Sequence, residues 1–255
     1  MKKSVLVTGA VRNTGLGIAE KFLQEGWTVF LTSRNAAEAE TKADELSAVY
    51  HQECYGLGYN PLYAKEEGEL LFQKNADRGY TLDSLVCNAA DLGRWQNPLD
   101  VDLQAWENVL LTNVVGYFVP ARIAAREMIR AGKASTGTII FIGSINCRDA
   151  LPERSAYCAS KGAIRSMTKA LALDFAPYGI RVNCVMPGPI WTTRYDEMDP
   201  QEAAKRESLV PLGKASTAAQ IAGGVYFFAT DASGNATGSS LVMDGGMDSI
   251  VAGGY

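Results

Sequence analysis

The chain has 255 residues, of which 47% are hydrophobic and 20% charged, and this composition suits one sizeable globular domain over residues 1–255. A net charge of −4 disfavours a nucleic-acid-binding protein, and the apolar runs fall far short of a membrane span of ~20 residues, so we expect a cytoplasmic protein with neither kind of partner. Five Cys without a C-x-x-C pair and a single His, His51, disfavour a disulfide framework, a zinc site and a Ser-His-Asp hydrolase, so we expect no metal.

Along the chain, short β-branched apolar runs alternate with longer amphipathic stretches. The predicted strands are Ser4–Thr8, Thr28–Thr32, a weaker Glu53–Leu57, Leu82–Cys87, Thr138–Gly143, Arg181–Met186 and Ser240–Met243. They lack clean polar alternation, as expected of strands that are buried on both faces. The predicted helices include one that ends at Gly26 and others near 36–47, 65–77, 102–130, 155–176 and 217–229. This alternation indicates a parallel sheet covered by helices on both sides.

The first predicted strand runs into a glycine-rich turn, Thr8-Gly9-Ala10-Val11-Arg12-Asn13-Thr14-Gly15, and a helix follows it. Such a turn presents backbone N–H groups and the positive end of a helix to a pyrophosphate. Its position after the first strand therefore predicts dinucleotide binding by Gly9, Arg12, Asn13 and Gly15.

The end of the second strand bears on which dinucleotide is bound. An NAD site usually has an acidic residue there, but this chain has Ser33-Arg34 and no carboxylate until Glu38. Arg34 suits a 2′-phosphate, and Arg12 could reach the same group. The two arginines favour NADP(H); the alternative is that both are solvated surface charges.

The predicted helix over 102–130 carries a polar residue, Asn113, among apolar neighbours. Pro120 cannot donate to the carbonyl of Gly116, so the helix should bend there. A buried Asn113 side chain needs a partner. Two interpretations stay open: a structural Asn bonded to a loosened backbone carbonyl, or an Asn that faces an active site.

Tyr157 and Lys161 are four residues apart, and Ser144 lies upstream of them. On a helix this spacing places the phenol and the ammonium on one face. A neighbouring cation lowers the pKa of a tyrosine from its ordinary ~10 towards neutrality, where proton transfer is useful. By itself, however, the pair arises often by chance.

Taken together, these motifs resemble those of the single-domain short-chain dehydrogenase/reductases over nearly the whole chain. The turn matches T-G-x-x-x-G-x-G, Leu85–Ala90 resembles L-V-N-N-A-G, and Asp244-Gly245-Gly246 matches the C-terminal signature. The resemblance implies an α/β, doubly wound, Rossmann-like three-layer fold with a mainly parallel seven-stranded sheet. It also implies a homodimer or homotetramer that pairs through the helices around 102–130 and 155–176.

The resemblance implies a role for each candidate site residue. Tyr157 would be the general acid in reduction and the base in oxidation, Lys161 would bind the nicotinamide ribose, Ser144 would bond the substrate oxygen, and Asn113 would hold a water. Further cofactor contacts are implied for Asn60, Asn88, Ala89, Pro187, Gly188, Ile190 and Thr192. The chain departs from the family pattern at Asn13, Cys87, Ala90 and Asn60, where the family has Gly, Asn, Gly and Asp.

The substrate pocket is predicted to include Arg94, Asn146, Arg148, Arg154 and Tyr195, under a mobile lid at about 189–212. The three arginines suggest an anionic or polar substrate, or else they are solvated loop residues. The resulting prediction is an NADP(H)-dependent ketoreductase acting on a small carbonyl or alcohol. The alternatives are a 3-oxoacyl-carrier-protein reductase, a sugar or polyol dehydrogenase, and a non-catalytic dinucleotide sensor.

Overall fold

The computed structural model describes residues 2–249, which contain one seven-stranded sheet with the strand order β3-β2-β1-β4-β5-β6-β7. Every pair of neighbouring strands is parallel. The strands are β1 Ser4–Val7, β2 Thr28–Ser33, β3 Cys54–Gly58, β4 Ser84–Cys87, β5 Thr138–Ile142, β6 Arg181–Pro187 and β7 Ser240–Met243. The predicted doubly wound sheet is confirmed.

Helices cover both faces of this sheet. They are α1 Asn13–Gln24, α2 Ala36–Tyr50, α3 Ala64–Ala76, α4 Leu103–Leu110, α5 Gly116–Arg130, α6 Ser155–Phe175, α7 Thr193–Asp196, α8 Pro200–Glu207 and α9 Ala218–Ala229. One apolar core lies under α1, α2 and α9, and the other lies under α3, α5 and α6. Along β1, Val5 and Val7 enter the first core while Leu6 enters the second. The central strands β1, β4 and β5 are buried along their whole length and mostly apolar, because helices cover both of their faces, while the edge strands β3 and β7 are partly exposed.

The ends of the helices follow local capping chemistry. The Asn35 side chain accepts hydrogen bonds from the first turn of α2, and Thr217 and Gln220 form a capping box at α9. α2 runs to Tyr50, three residues beyond its predicted end, and stops where His51 adopts a left-handed conformation (φ 52°). The short helices α7 and α8 lie inside the predicted lid and were not predicted.

The chain from 103 to 130 is one helical stretch with an internal π turn at Leu111–Val115. The irregularity of the helix therefore lies just before Gly116. Pro120 cannot donate to the Gly116 carbonyl, which instead accepts a hydrogen bond from the Tyr59 hydroxyl at 3.5 Å. The stretch is long and apolar enough to cross a membrane, but 56% of its most apolar window is buried inside the protein. It packs as a core helix beside the sheet.

The order of the strands reverses between β1 and β4, and the loops that leave these two strands meet at the carboxyl edge of the sheet. In open α/β sheets, a crevice for a ligand forms at this reversal. The loops after β5 and β6 leave from the same edge, because all the strands are parallel.

Candidate active site

Three of the four predicted catalytic residues are positioned by the packing of α6 against β6 and against the 3₁₀ turn Ile145–Cys147 that follows β5. Ser144 is a buried residue just past the end of β5, while Tyr157 and Lys161 lie in the first two turns of α6. The Lys161 ammonium donates to the carbonyl of Ile142, at the end of β5, with an Nζ–O distance of 2.8 Å. This bond holds the Tyr157–Lys161 face of the helix two residues from Ser144.

Lys161 is only 2% exposed, which is unusual for a lysine. Its Nζ lies 5.6 Å from the centroid of the Tyr157 ring and 5.7 Å from that of Tyr117. Burial lowers the pKa of Lys161 from 10.5 to about 8, because the charged form loses its hydration. The group can therefore gain or lose a proton near neutral pH.

Asn113, in the π turn, is fully buried, and its side chain is bonded on both sides. Its amide accepts from the N–H of Asp91 at 2.7 Å and donates to the Asp91 carbonyl at 2.8 Å. The same amide donates to Ser160 Oγ at 2.9 Å, and Ser160 donates to the carbonyl of Tyr157 at 2.7 Å. The side chain thus joins the loop after β4 to the start of α6. Its backbone partner is the Asp91 carbonyl of that loop and not the loosened helical carbonyl, and its role in the active site stays a prediction.

Ser160 had no predicted role, yet it links Asn113 to the backbone of Tyr157. A small polar residue beside Lys161 on a buried helix face was the only sequence signal for it. The water proposed at Asn113 stays a prediction.

The glycine-rich turn fits a dinucleotide. Gly9 has φ +64°, and a Cβ there would lie 2.9 Å from Ala89, while a Cβ on Gly15 would lie 2.2 Å from the Gly9 carbonyl oxygen. Asn88 Nδ2 fixes the turn by donating to the carbonyls of Thr8 and Gly9 at 3.0 and 2.9 Å. Within residues 2–249, the N-cap residue Arg12 makes no side-chain bond to the first turn of α1, which suits N–H groups that bind an anion.

Asn13 replaces the middle glycine of the turn and takes φ 52°, a left-handed conformation that Asn tolerates better than most residues. Its Oδ1 accepts a hydrogen bond from the N–H of Thr193, the first residue of α7, at 3.1 Å. The extra side chain therefore ties the turn to the segment that the sequence predicts as a lid.

Arg12 and Arg34 are both exposed at the carboxyl edge, near the ends of β1 and β2. Within residues 2–249 neither guanidinium takes part in an ion pair of the structure. A carboxylate is also present there, because Ser33 Oγ donates to Glu38 at 2.6 Å. The end of β2 therefore carries charges of both signs.

The remaining predicted cofactor residues all follow carboxyl ends of strands. Asn60, after β3, caps a short 3₁₀ turn by accepting from the N–H of Leu62. After β6, a Cβ on Gly188 would lie 2.7 Å from Asp244 Cβ, so this close approach requires glycine. Ile190 pairs with Ser216, and Thr192 stands directly before α7. Pro187 ends β6.

A recess of about 250 Å³ opens beside Tyr157 and is lined in part by Arg94 and Arg154. Arg154 is 7% exposed; its guanidinium carbon lies 4.7 Å from the Trp95 ring and 5.0 Å from the Tyr157 ring. Arg148 instead forms an ion pair with Asp248. The structure therefore brings two of the three predicted arginines to the recess.

The two other predicted substrate residues have local roles. Asn146 Oδ1 accepts from the Ser144 hydroxyl at 3.2 Å, and its N–H donates back to Ser144 Oγ at 3.1 Å. Tyr195 is buried in a small apolar cluster with Ala203 and Ala215, and its ring stacks on Trp191 with a centroid distance of 4.9 Å. Asn146 thus orients the serine hydroxyl, and Tyr195 packs the segment predicted as a lid.

The family described as enoyl-(acyl carrier protein) reductase matches residues 9–248. The chain is 32% identical over 255 residues to the 2-(S)-hydroxypropyl-CoM dehydrogenase 3 of Xanthobacter autotrophicus, with 96% of each covered. It is also 32% identical over 253 residues to the NADP-dependent (R)-specific alcohol dehydrogenase of Lentilactobacillus kefiri, again with 96% of each covered. Among solved structures, ElxO with NADP bound is similar with a TM-score of 0.88 and 30% identity, over 98% of this chain and 100% of that chain.

Proposed function

The chain belongs to the short-chain dehydrogenase/reductase family of oxidoreductases, and we propose on that premise that it is an NADP(H)-dependent ketoreductase acting on a carbonyl or secondary alcohol. The observation that carries the proposal is the bond of Lys161 to Ile142, which holds the Tyr157 ring close to a buried cation and near Ser144. A dinucleotide sensor would need the glycine-rich turn but not this arrangement.

When bound, the nicotinamide ring supplies or accepts the hydride. Tyr157 gives its phenolic proton to the substrate oxygen in reduction and takes it back in oxidation. Ser144 steadies the same oxygen by donating a hydrogen bond. The Lys161 cation favours the phenolate that Tyr157 becomes after giving up its proton.

The cofactor preference rests on Arg34 and Arg12, both exposed near the edge where a 2′-phosphate would lie. Glu38 opposes that preference, because a carboxylate repels a phosphate. Two cations against one anion favour NADP(H), and the relative named as NADP-dependent is in keeping with this.

The test is oxidation of NADPH with a panel of ketones, measured for the wild type and for Tyr157→Phe. We expect turnover of at least one ketone and a loss of about a thousandfold in the variant. Tyr178→Phe is the matched control and should keep full activity, since Tyr178 is exposed just before β6, at the opposite edge of the sheet from the site. Undiminished turnover by Tyr157→Phe would refute the assigned mechanism.

For the substrate we propose a small secondary alcohol or the corresponding ketone. The relatives named 2-(S)-hydroxypropyl-CoM dehydrogenase 3 and (R)-specific alcohol dehydrogenase support this class. A relative named glucose 1-dehydrogenase keeps a sugar substrate open, and a solved neighbour described as a β-ketoacyl-ACP reductase keeps a carrier-bound substrate open. We propose a cytoplasmic location on the sequence argument alone.

A further inference from the structure

We propose that Arg154 is a positioning residue for Tyr157: it holds the phenol ring in place and lowers its proton affinity, together with Lys161. The inference rests on the proposed function of Tyr157 as the proton-transferring group. It concerns a residue that the family resemblance did not place in the catalytic set.

Three charged or proton-transferring groups lie together at the start of α6. Tyr157 and Lys161 are four residues apart inside the helix and therefore neighbours on its surface. Arg154 is the residue that directly precedes the helix, and its side chain packs back on the Tyr157 ring. Two cations therefore lie within 6 Å of one phenol ring, with Arg154 at 5.0 Å and Lys161 at 5.6 Å from its centroid. A cation at this distance is attracted to the ring, and more strongly once the ring carries the phenolate charge.

The surroundings of Arg154 make its charge effective. The side chain is buried, and its guanidinium carbon also lies 4.7 Å from the Trp95 ring, in the loop after β4. A buried charge acts through a lower effective dielectric and is screened less by salt than an exposed one. The stack between two aromatic rings also restricts the orientation of Tyr157 towards the recess.

Lys161 and Arg154 differ in the pH range over which each keeps its positive charge. Burial lowers the pKa of Lys161 to about 8, so in the free protein its charge is lost above that pH. A guanidinium stays protonated throughout the working range. Arg154 is thus the cation that continues to favour the phenolate in the alkaline range.

Other titratable groups also face Tyr157. Tyr117 is on α5, and its own pKa is raised by burial first, then by Cys87 and then by the Tyr157 phenol. The acidic and basic groups that share the recess with Tyr157 are Asp91, Arg94, Glu153 and Arg154. All of these groups are retained in the variants below, except Arg154 itself.

The first experiment is the pH profile of kcat for alcohol oxidation in the wild type, Arg154→Met and Arg154→Lys. Oxidation requires the phenolate, so its rate rises with pH through the Tyr157 pKa. In Arg154→Met, which lacks the cation, this rise of kcat should occur about one pH unit higher than in the wild type. At pH 7 kcat should therefore be about tenfold lower. Arg154→Lys keeps the charge and should retain most of the wild-type profile. Arg165→Met removes an arginine farther along α6 and should leave the profile unchanged.

The second experiment does not depend on turnover. The phenolate absorbance of the cofactor-free protein is titrated in the wild type, Tyr157→Phe, Arg154→Met and Arg154→Gln. The difference between the wild type and Tyr157→Phe isolates the Tyr157 titration, which should move to higher pH in both Arg154 variants. This titration does not require turnover of any ketone. Failure of the proposed function can therefore be distinguished from failure of the proposed role of Arg154.

An unmoved titration and an unmoved rise of kcat with pH in folded Arg154→Met or Arg154→Gln would overturn the proposal. A variant with a raised KM for the alcohol and an unmoved rise of kcat would likewise overturn it, because Arg154 would then bind substrate and not act on Tyr157. Circular dichroism confirms that each variant is folded.

Discussion

At the scale of single residues, Lys161 has the largest electrostatic cost in the site. A pKa lowered to about 8 in the folded state, against 10.5 in the unfolded chain, means that the protonated lysine opposes folding. At about 1.36 kcal/mol per pKa unit the cost is about 3 kcal/mol at pH 7. We expect Lys161→Met to raise the free energy of unfolding by about 1–2 kcal/mol, since the bond to Ile142 is lost at the same time, and to abolish activity.

The pH dependence of this effect has a definite sign. Between about pH 8 and 10.5 the folded state has released the Lys161 proton while the unfolded chain still holds it. The free energy of unfolding of the wild type, relative to Lys161→Met, should therefore rise with pH across this window. Urea unfolding of both proteins at several pH values measures it. A constant difference would show that Lys161 is not perturbed.

Arg34 and Glu38 place charges of opposite sign near the end of β2, where a 2′-phosphate is expected. Arg34→Asp removes a guanidinium and adds a second carboxylate beside the one that Ser33 bonds, so NADPH binding should weaken by tenfold or more. Glu38→Gln removes a negative charge and should strengthen NADPH binding modestly. Fluorescence titration measures the affinity of each variant for NADPH, and the affinity for NADH serves as the control. If the ratio of the NADPH and NADH dissociation constants were the same in Arg34→Asp as in the wild type, the proposed contact of Arg34 with the 2′-phosphate would be contradicted.

At the scale of elements, Asn13 connects α1 to α7 through its bond to Thr193. Asn13→Gly keeps the left-handed backbone but removes the bond, so the lid should open more often with little change in stability. Asn13→Ala also removes the bond, and it adds backbone strain because alanine disfavours φ 52°. It should lower the free energy of unfolding by about 1–2 kcal/mol.

Hydrogen exchange of residues 193–207 distinguishes these two effects. Both variants should exchange faster in α7 and α8, while only Asn13→Ala should melt at a lower temperature. Equal exchange in the wild type and Asn13→Gly would show that the bond does not hold the lid.

At the scale of the whole molecule, large apolar side chains remain exposed on α4, α5 and α6. Leu103, Phe118 and Leu173 lie there, and Leu173 is 76% exposed. These helices are the ones through which the family resemblance predicts a homodimer or homotetramer. Large apolar side chains that are exposed on neighbouring helices favour association when a second copy can cover them.

We expect Leu173→Lys to lower the mass of the particle measured by sedimentation or light scattering, since it places a charge on that surface. Val49→Lys is the control, because Val49 is 68% exposed on α2, which covers the opposite face of the sheet from α5 and α6, and it should leave the mass unchanged. A wild-type monomer, or the same mass in all three proteins, would contradict the prediction.

The sequence by itself determined the sheet, most helices and the identity of the nucleotide turn. These features depend on local order: apolar strands separated by helices, and glycines where a Cβ would strike Ala89 or the Gly9 carbonyl. Only the tertiary structure decided the bond of Asn113 to Asp91, the stack of Arg154 on Trp95 and Tyr157, and the pairing of Arg148 with Asp248. The physical reason is that most of these contacts join segments far apart in the chain, where side-chain direction and burial depend on how the elements pack.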